Sequence, residues 1–161
     1  MTVKTLSGAK IYIGPAATED TDTEAEYAAL TPYVLVGEVE DMGELGDESP
    51  LVNFASIGDG RIRKLKGARD AGTMTIVTGK DPLDAGQAAM KAAERTKFEF
   101  AFKIELEDAP TEDYTDTIFY FRGLVASQRD RLGTNDNVIR TVFALAVNSE
   151  ILEIPAEEIT V

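Results

Sequence analysis

The chain has 161 residues, with 29 Asp and Glu against 16 Lys and Arg and with no Cys or His, so its formal net charge is −13. A chain of this length suits a single domain, 1–161, that buries a core without disulfides. The missing residue types exclude Cys-His and Ser-His-Asp catalysis and His-ligated zinc, and the acidity argues against electrostatic attraction to nucleic acid or anionic membranes.

No segment of the sequence is apolar enough to span a membrane, because a spanning helix needs roughly 20 apolar residues in succession. The first ten residues also lack the apolar centre of a secretory signal. We therefore expect a soluble protein that is made in a cytoplasm and does not insert into a membrane.

Residues 1–32 are predicted to form a short strand followed by an acidic arm. The strand spans residues 10–13. The next segment, 16–31, carries five carboxylates and only Tyr27 and Leu30 as sizeable apolar groups, too few for a core of its own. We expect an extended arm or loop there, with one helical turn near residues 23–29.

A second acidic segment, residues 38–50, follows a predicted strand over residues 33–36. Gly43 and Gly46 interrupt it, so we expect a surface loop or a projecting, weakly paired hairpin and not a core strand. Its carboxylates are Glu38, Glu40, Asp41, Glu44, Asp47 and Glu48.

Two strands, 51–55 and 61–66, are predicted on either side of the turn Gly58-Asp59-Gly60, and a further strand spans 73–78. Five cations lie between residues 61 and 69: Arg61, Arg63, Lys64, Lys66 and Arg69. We interpret them as partners of the carboxylates in 38–48, within the chain or across a subunit contact. A phosphate or nucleic-acid site is the alternative, but no aromatic residue interleaves the cluster to stack on bases.

One helix is predicted over residues 81–95. Asp81 is placed to cap it, Pro82 suits the first helical position, and Lys91 and Arg95 complement the dipole in the last turn. A single helix against antiparallel strands indicates a mainly β, α+β fold.

Three stretches in the second half, 97–108, 117–131 and 137–150, alternate apolar and polar residues as half-buried strands do. The last two would each run roughly 45 to 50 Å if straight. A compact chain of this size is only about 39 Å across. These strands must therefore curve into a barrel or project beyond the body.

The last of these strands is apolar on both faces between Val142 and Val147. Such a strand needs the helix, a second sheet or a neighbouring subunit over it. The candidates for core or subunit-interface positions are Val138, Val142, Phe143, Ala144 and Ala146. Residues 151–161 are expected to form an edge strand or a tail.

The fold expected from these elements is an antiparallel β-sandwich or barrel, flanked by one helix and carrying a long projecting loop. No P-loop, dinucleotide fingerprint, nucleophile elbow or HExxH motif is present. We therefore expect no catalytic residue, no cofactor and no metal site.

Several runs together resemble the major tail tube proteins of long, non-contractile tailed bacteriophages. They are Tyr33-Val34-Leu35-Val36-Gly37-Glu38-Val39, Val52-Asn53-Phe54, Asp59-Gly60-Arg61, Arg69-Asp70-Ala71-Gly72, Asp81-Pro82, and the late runs 119–123 and 138–145.

The resemblance implies a structural subunit and not an enzyme. Six copies would form a ring, and rings would stack into a tube whose acidic lumen conducts double-stranded DNA during ejection, without specific binding. The carboxylates of 38–50 and the cations of 61–69 would then contact the adjacent ring. Other tail proteins would be partners, and the subunit would be assembled in the bacterial host cytoplasm and end in the virion tail.

Three other functions are open to such a sequence. The tube of a bacterial secretion system shares the architecture. A ligand-binding or carbohydrate-binding β-barrel would need aromatic anchors, which the absence of Trp disfavours. A hydrolase that uses two carboxylates would need a defined acid pair, and the sequence nominates none.

Overall fold

A computed structural model describes residues 2–160 of the chain, so Met1 and Val161, the outermost residues of the predicted arm and tail, lie outside the described part. Ten strands and two helices are described there. The strands are β1 (Lys10–Ala16), β2 (Val34–Val36), β3 (Val39–Asp41), β4 (Leu51–Ala55), β5 (Ile62–Lys66), β6 (Thr73–Gly79), β7 (Phe100–Glu105), β8 (Ile118–Arg131), β9 (Arg140–Val147) and β10 (Leu152–Ile154). The helices are α1 (Glu24–Ala29) and α2 (Ala85–Glu94).

Eight strands form one antiparallel sheet in the order β2-β1-β7-β8-β9-β6-β3, with β10 paired to β8 beside this path. β4 and β5 form a separate two-stranded hairpin. The mainly β fold expected from the sequence is thus confirmed.

The long strand β8 joins the two halves of the sheet. Its first half pairs with β7, and its second half, from Gly123 to Arg131, pairs with β9. A register shift at Ala126 marks a bulge, which bends a strand locally. Gly123 pairs with both neighbours, and a Cβ there would lie 2.7 Å from the carbonyl oxygen of Ala146, so the close approach requires glycine. The expected long strand is thus present, and of the two expected outcomes, curvature or projection, the bulge and the change of partner favour curvature.

The two halves form the layers of a sandwich. The inner layer comprises β3, β6, β9 and the second half of β8; the outer layer comprises β2, β1, β7 and the first half of β8. Alternate side chains of both layers meet in one buried cluster, in which the rings of Phe102 and Phe121 stack 5.3 Å apart. β9 contributes Phe143 and Leu145 to it, as its period-two pattern predicts.

A second cluster covers the far face of the outer layer. α1 begins with a capping box, in which Thr23 and Glu26 satisfy each other's backbone amides. Its Tyr27 is only 1% exposed and packs with Ala101 and Tyr120 of the sheet. The predicted helical turn is therefore present, and this part of the arm is docked on the sheet.

α2 packs against β8, β2 and β1 but begins later than the sequence predicts. Asp84, and not Asp81, is the N-cap, since its side chain accepts a hydrogen bond from the backbone N–H of Gln87 at 2.9 Å. Asp81 instead closes a turn before the helix, accepting from the N–H of Leu83. Leu83 is 93% exposed and so contributes nothing to the apolar face of the helix.

Two predicted strands are shorter than expected. β7 begins at Phe100, because β8 pairs with β9 and no longer with β7 beyond the Phe100–Gly123 pair; Phe98 is 69% exposed. β9 begins at Arg140, so residues 137–139 belong to the connection from β8. Val138, proposed as a core or interface position, is 62% exposed in this connection and is not part of the core.

Candidate assembly surfaces

The two layers of the sandwich differ in what covers their far faces. The far face of the outer layer is covered by α1 and by the second cluster, which belong to the same chain. On the inner layer, the far face carries the side chains of β6, β8 and β9 that point away from the core. We call it the inner-layer face; its uncharged residues are Thr73, Thr75, Val77, Leu124, Ser127, Val142, Ala144 and Ala146.

Most of the inner-layer face is partly or fully exposed, although its side chains are small and largely apolar. Val142, Ala144 and Ala146 are half-buried, while Phe143 between them is 1% exposed on the core side. Of these four candidates for core or subunit-interface positions, Phe143 thus lies in the core. The other three lie on a face that nothing in residues 2–160 covers as α1 covers the outer layer.

Both lateral edges of the inner layer are open. In the part of the chain that the structure describes, β3 ends the sheet, and the second half of β8 pairs with β9 on one side only. Because successive strands of this four-stranded layer are antiparallel, β8 and β3 run in opposite directions. Unpaired N–H and C=O groups on such edges can pair with another chain.

Apart from Arg140 of β9, the charged residues on the inner-layer face lie near its two edges. Arg129 and Arg131 extend from β8, and Arg131 is the cross-strand partner of Arg140 in β9. At the other edge lie Glu40 and Asp41 of β3. Arg140 forms an ion pair with Glu40, reaching across Gly79, whose lack of a side chain leaves the path open. This contact raises the pKa of Arg140 above its ordinary value, first through the hydrogen bond and then through the charge of Glu40.

The acidic segment 38–50 does not project as a loop. Its first part is β3, which pairs with β6, and its Met42 is buried in the core with Leu45 packed against it. Further along, Glu48 forms an isolated bridge with Asp70. The apolar residues at positions 39, 42 and 45 hold the segment on the sandwich. The prediction of a projecting segment is wrong because it rests on the charges and leaves out these three residues.

The β4–β5 hairpin is the element that stands away from the sandwich. Every residue of both strands is exposed, and five are large and apolar: Leu51, Val52, Phe54, Ile62 and Leu65. Val52 and Leu65 are cross-strand partners beside Phe54, so one face of the hairpin is an exposed apolar patch. The two strands and the turn carry four cations and only one carboxylate, Asp59, within an otherwise acidic chain.

The predicted pairing of the basic cluster with the acidic segment occurs once within the chain. Arg69 contacts Asp47, with 2.6 Å between guanidinium nitrogen and carboxylate oxygen. Arg63 instead pairs with Asp59 in the hairpin turn. Among residues 2–160, Arg61, Lys64 and Lys66 form no ion pair with a carboxylate, so the outer part of the hairpin keeps its positive charge.

An open groove lies at the base of the hairpin, between residues 44–50 and 68–73. Its volume is about 1050 Å³, and the carboxylates of Glu44, Asp47, Glu48 and Asp70 line it. No aromatic residue lines this groove, so it lacks the stacking surfaces of a carbohydrate site. It is an acidic surface beside a basic projection.

No group of His, Cys, Asp and Glu that could hold a metal ion is found within residues 2–160. Over the same residues, every buried side-chain nitrogen and oxygen has a hydrogen-bond partner. The buried Arg122, for example, donates to Glu99 at 2.7 Å and to the carbonyl of Thr21 at 3.2 Å. Neither helix in the described range is long and apolar enough to cross a membrane.

Two features of these surfaces were missed from the sequence. The hairpin reads as a pair of ordinary strands, and only the scarcity of acids between 51 and 66 could have marked it as distinct. Arg129 and Arg131 read as the polar end of a strand. Their placement opposite the acidic β3 depends on pairings between residues far apart in the chain, which no local pattern records.

No protein-family model matches the chain, and no curated protein matches its sequence. Solved structures do match it in fold. A chain of the SPP1 tail tube is 14% identical, covers 96% of this chain and 82% of its own length, and superposes with a TM-score of 0.65.

Two further matches come from other large assemblies. A chain in the baseplate of the anti-feeding prophage is 11% identical, with coverage of 96% of this chain and 98% of its own and a TM-score of 0.69. A chain in the sheath/tube terminator of the PVC extracellular contractile injection system is 12% identical, with coverage of 94% and 96% and a TM-score of 0.62. The chain thus has the tail-tube fold, and the resemblance read from the sequence is confirmed at the level of the fold.

Proposed function

We propose that this protein is a structural, non-catalytic subunit of a tail tube that assembles with copies of itself into stacked rings. The observation that carries the proposal is the fold shared along nearly the whole chain with the SPP1 tail tube subunit. The open edges of the inner layer support it, because a monomer would leave the unpaired N–H and C=O groups of both edge strands exposed to solvent.

Strand directions favour closure of the inner layer into a ring. Its edge strands, β3 and β8, run in opposite directions. If copies are related by rotation about an axis along the strands, β3 of one copy lies antiparallel to β8 of the next, and the alternation continues around the ring. Closure of this kind removes all open edges. We propose six copies, as the resemblance to phage tail tubes implies; the matching anti-feeding prophage baseplate was likewise determined with six-fold symmetry.

The inner-layer face would then line the bore, and we propose that double-stranded DNA passes through it during ejection without specific binding. Most of that face is small and uncharged, so it offers few groups for adhesion. A ring of six copies would carry a formal charge of −78, six times −13. This total charge supports an acidic overall potential in the lumen, which would repel a duplex that bears about one charge per 1.7 Å. On the face itself, the cations Arg129, Arg131 and Arg140 are matched by the carboxylates Glu38, Glu40 and Asp41.

For stacking of rings, we propose contact between the basic hairpin of one copy and acidic surfaces of the next. Charge complementarity supports this contact, because the cations Arg61, Lys64 and Lys66 are unpaired by carboxylates within residues 2–160. The exposed apolar face of the hairpin would be buried in the same step. Arg63 and Arg69 are already paired within the chain, so we place them at the periphery of this contact between rings. Glu44, Asp47 and Glu48 of the groove would supply carboxylates to the same contact.

The proposed setting is the virion tail, after assembly in the cytoplasm of a bacterial host, with other tail proteins at the ends of the tube. The tube of a contractile injection or secretion system is a second candidate, and the similarity to chains of the anti-feeding prophage and PVC assemblies favours it. A ligand-binding barrel is less well supported, since the large groove is open and lacks aromatic residues.

Negative-stain microscopy and sedimentation velocity of the purified protein, over a range of concentrations, test the proposal. We expect rings at intermediate concentration and hollow filaments at high concentration. A folded protein that stays monomeric at millimolar concentration in low and high salt would contradict it. To separate the two candidate settings, filaments isolated from infected cells should be attached to DNA-filled capsids for a virion tail and free of capsids for an injection system.

A further inference from the structure

At the two edges of the inner-layer face the charges have opposite sign: cations lie at the β8 edge and carboxylates at the β3 edge. On the β8 edge lie Arg129 and Arg131, both exposed, and neither forms an ion pair within residues 2–160. The other edge carries Glu38, Glu40 and Asp41, in and beside β3, all of them exposed. Asp130, between the two arginines, points to the opposite face, where it contacts Lys80 and Thr141. In the chain as a whole carboxylates outnumber cations, so an edge whose charges on this face are all basic is not what composition alone would produce.

The arrangement at the β8 edge is unfavourable in an isolated subunit. Arg131 and Arg140 face each other directly across the β8–β9 pair. Like charges directly opposite each other destabilise an antiparallel pair. Glu40 neutralises Arg140 from the far side, but no carboxylate of the described chain contacts Arg131. A carboxylate supplied from outside the chain would relieve the repulsion.

The strand register places the cations of the β8 edge and the carboxylates of the β3 edge at the same positions along the strand direction. Across the sheet, Arg131 lies level with Arg140 and Gly79. The N–H of Gly79 donates to the carbonyl of Glu38, so Glu38 lies at the same height. One row further along, Arg129 is level with Val142, Val77 and Asp41. A second copy placed beside the first in an antiparallel ladder would bring Arg131 close to Glu38 and Arg129 close to Asp41.

We infer that the partner of Arg129 and Arg131 is the acidic β3 edge of a second copy of this chain, and that these ion pairs fix the direction and register of ring closure. The inference rests on the proposed ring. It adds the requirement that the edges be unlike, since two β8 edges or two β3 edges would repel each other. Subunits could then join in one direction only, basic edge to acidic edge.

Two charge-reversed variants test this inference. The first carries Arg129→Glu and Arg131→Glu, and the second carries Glu38→Lys and Asp41→Lys. We expect each alone to need a roughly tenfold higher concentration than the wild type for half-maximal ring formation, since two ion pairs per contact become repulsive. Mixed one to one, they should recover rings at close to the wild-type concentration, because unlike edges meet again.

Circular dichroism and thermal unfolding of each variant show whether the monomer is still folded. The matched control reverses two exposed cations outside both edges, Arg95→Glu and Lys97→Glu, and should assemble as the wild type does. Wild-type assembly from both edge variants alone, or no recovery from a mixture of folded variants, overturns the edge pairing while leaving the proposed tube intact. Failure of the wild type itself to form rings would instead contradict the proposed function.

Discussion

Tyr27 of α1 stacks on Tyr120 of β8, with ring centroids 5.4 Å apart and an interplanar angle of 12°. The carbonyl of Tyr27 also accepts a hydrogen bond from the Tyr33 hydroxyl at 2.7 Å. Two tyrosines from the N-terminal segment thereby hold the short, acidic helix α1 against the sheet.

Replacement of Tyr27 by Ala should detach α1. Because the side chain is almost fully buried, we expect the free energy of unfolding to fall by about 3 kcal/mol. Urea denaturation measures the loss, and limited proteolysis should show faster cleavage near residues 17–30. Tyr114→Ala, a change at a more exposed tyrosine, should cost less than about 1 kcal/mol; equal losses would show that Tyr27 is not the anchor.

The two faces of β9 should respond differently to a negative charge. Phe143→Asp places an unpaired carboxylate in the core, so we expect a protein that does not fold. Val142→Asp changes the inner-layer face, which is proposed to line the bore and not to contact a neighbouring subunit, so the monomer should fold and still form rings. Circular dichroism and sedimentation separate the two results. A Val142 variant that folds but forms no rings would show that this face belongs to a subunit contact and does not line the bore.

Gln87 joins α2 to two strands. Its side-chain amide donates to the carbonyls of Gly37 and Gly79 at 3.1 and 2.9 Å, and its oxygen accepts from the N–H of Asp81 at 3.1 Å. Gln87→Leu would leave these backbone groups without partners, which we expect to cost about 2 to 3 kcal/mol. Gln128→Leu is the control, as Gln128 makes one exposed hydrogen bond, to Asp130. A similar small loss from both changes would contradict the linking role.

The carboxylate of Asp130 should make stability depend on pH. The hydrogen bond from Lys80, then that from Thr141, lowers the pKa of Asp130 below its ordinary value of 3.8. A lowered pKa stabilises the folded state above the unfolded pKa, and the stabilisation is lost as pH falls through the folded value.

Asp130→Asn should therefore lower the free energy of unfolding near pH 7 by about 0.2 to 1 kcal/mol, the range for exposed pairs. The difference from the wild type should shrink as pH falls below 3.8. Urea denaturation across pH 2 to 7, which spans the shift, measures it. A difference that stays constant over this range would show that Asp130 acts through packing and not through its charge.

Replacement of residues 51–66 by a short Gly-Ser linker should separate ring formation from stacking. The hairpin has little contact with the sandwich, so the shortened chain should fold with nearly unchanged stability. We expect rings without filaments by electron microscopy. Charge reversal of Lys64 and Lys66 to Glu should give the same result with the hairpin in place, whereas normal filaments from the shortened chain would exclude the hairpin from the stacking contact.

Elements with a strong local signal were predicted well. The alternation in β8 and β9, the turn around Asp59 and the apolar run of β6 each depend on neighbours in sequence. β6 and β8 lie where the pattern places them, and β9 occupies the middle of its predicted range. The start of α2 was wrong by three residues, because Asp81 and Asp84 are both suitable caps and only packing against β2 selects the second.

That packing is visible at Gly86, where an added Cβ would lie 2.0 Å from the carbonyl oxygen of Leu35. The helix can approach β2 this closely only where Gly86 lies against Leu35. This contact joins residues far apart in the chain, so the start of the helix could not be predicted from local sequence. For the same reason the acidic segment 38–50 was misread. Its charges dominate the composition, but Met42 decides its position by entering the core.

The candidate assembly surfaces were predictable only in part. An uncovered apolar face could be read from Val142, Ala144 and Ala146, since both faces of β9 are apolar. The separation of Arg129 from Asp41 to opposite edges could not be read, because it follows from the order β8-β9-β6-β3, which brings together segments that are far apart in the chain.

A cryo-electron microscopy map of assembled wild-type protein tests the central claim most directly. We predict rings in which β8 of each copy pairs antiparallel with β3 of the next, the inner-layer face lines a continuous bore, and hairpins reach the adjacent ring. Particles whose subunits meet through other surfaces, with the β3 and β8 edges open to solvent, would contradict the account.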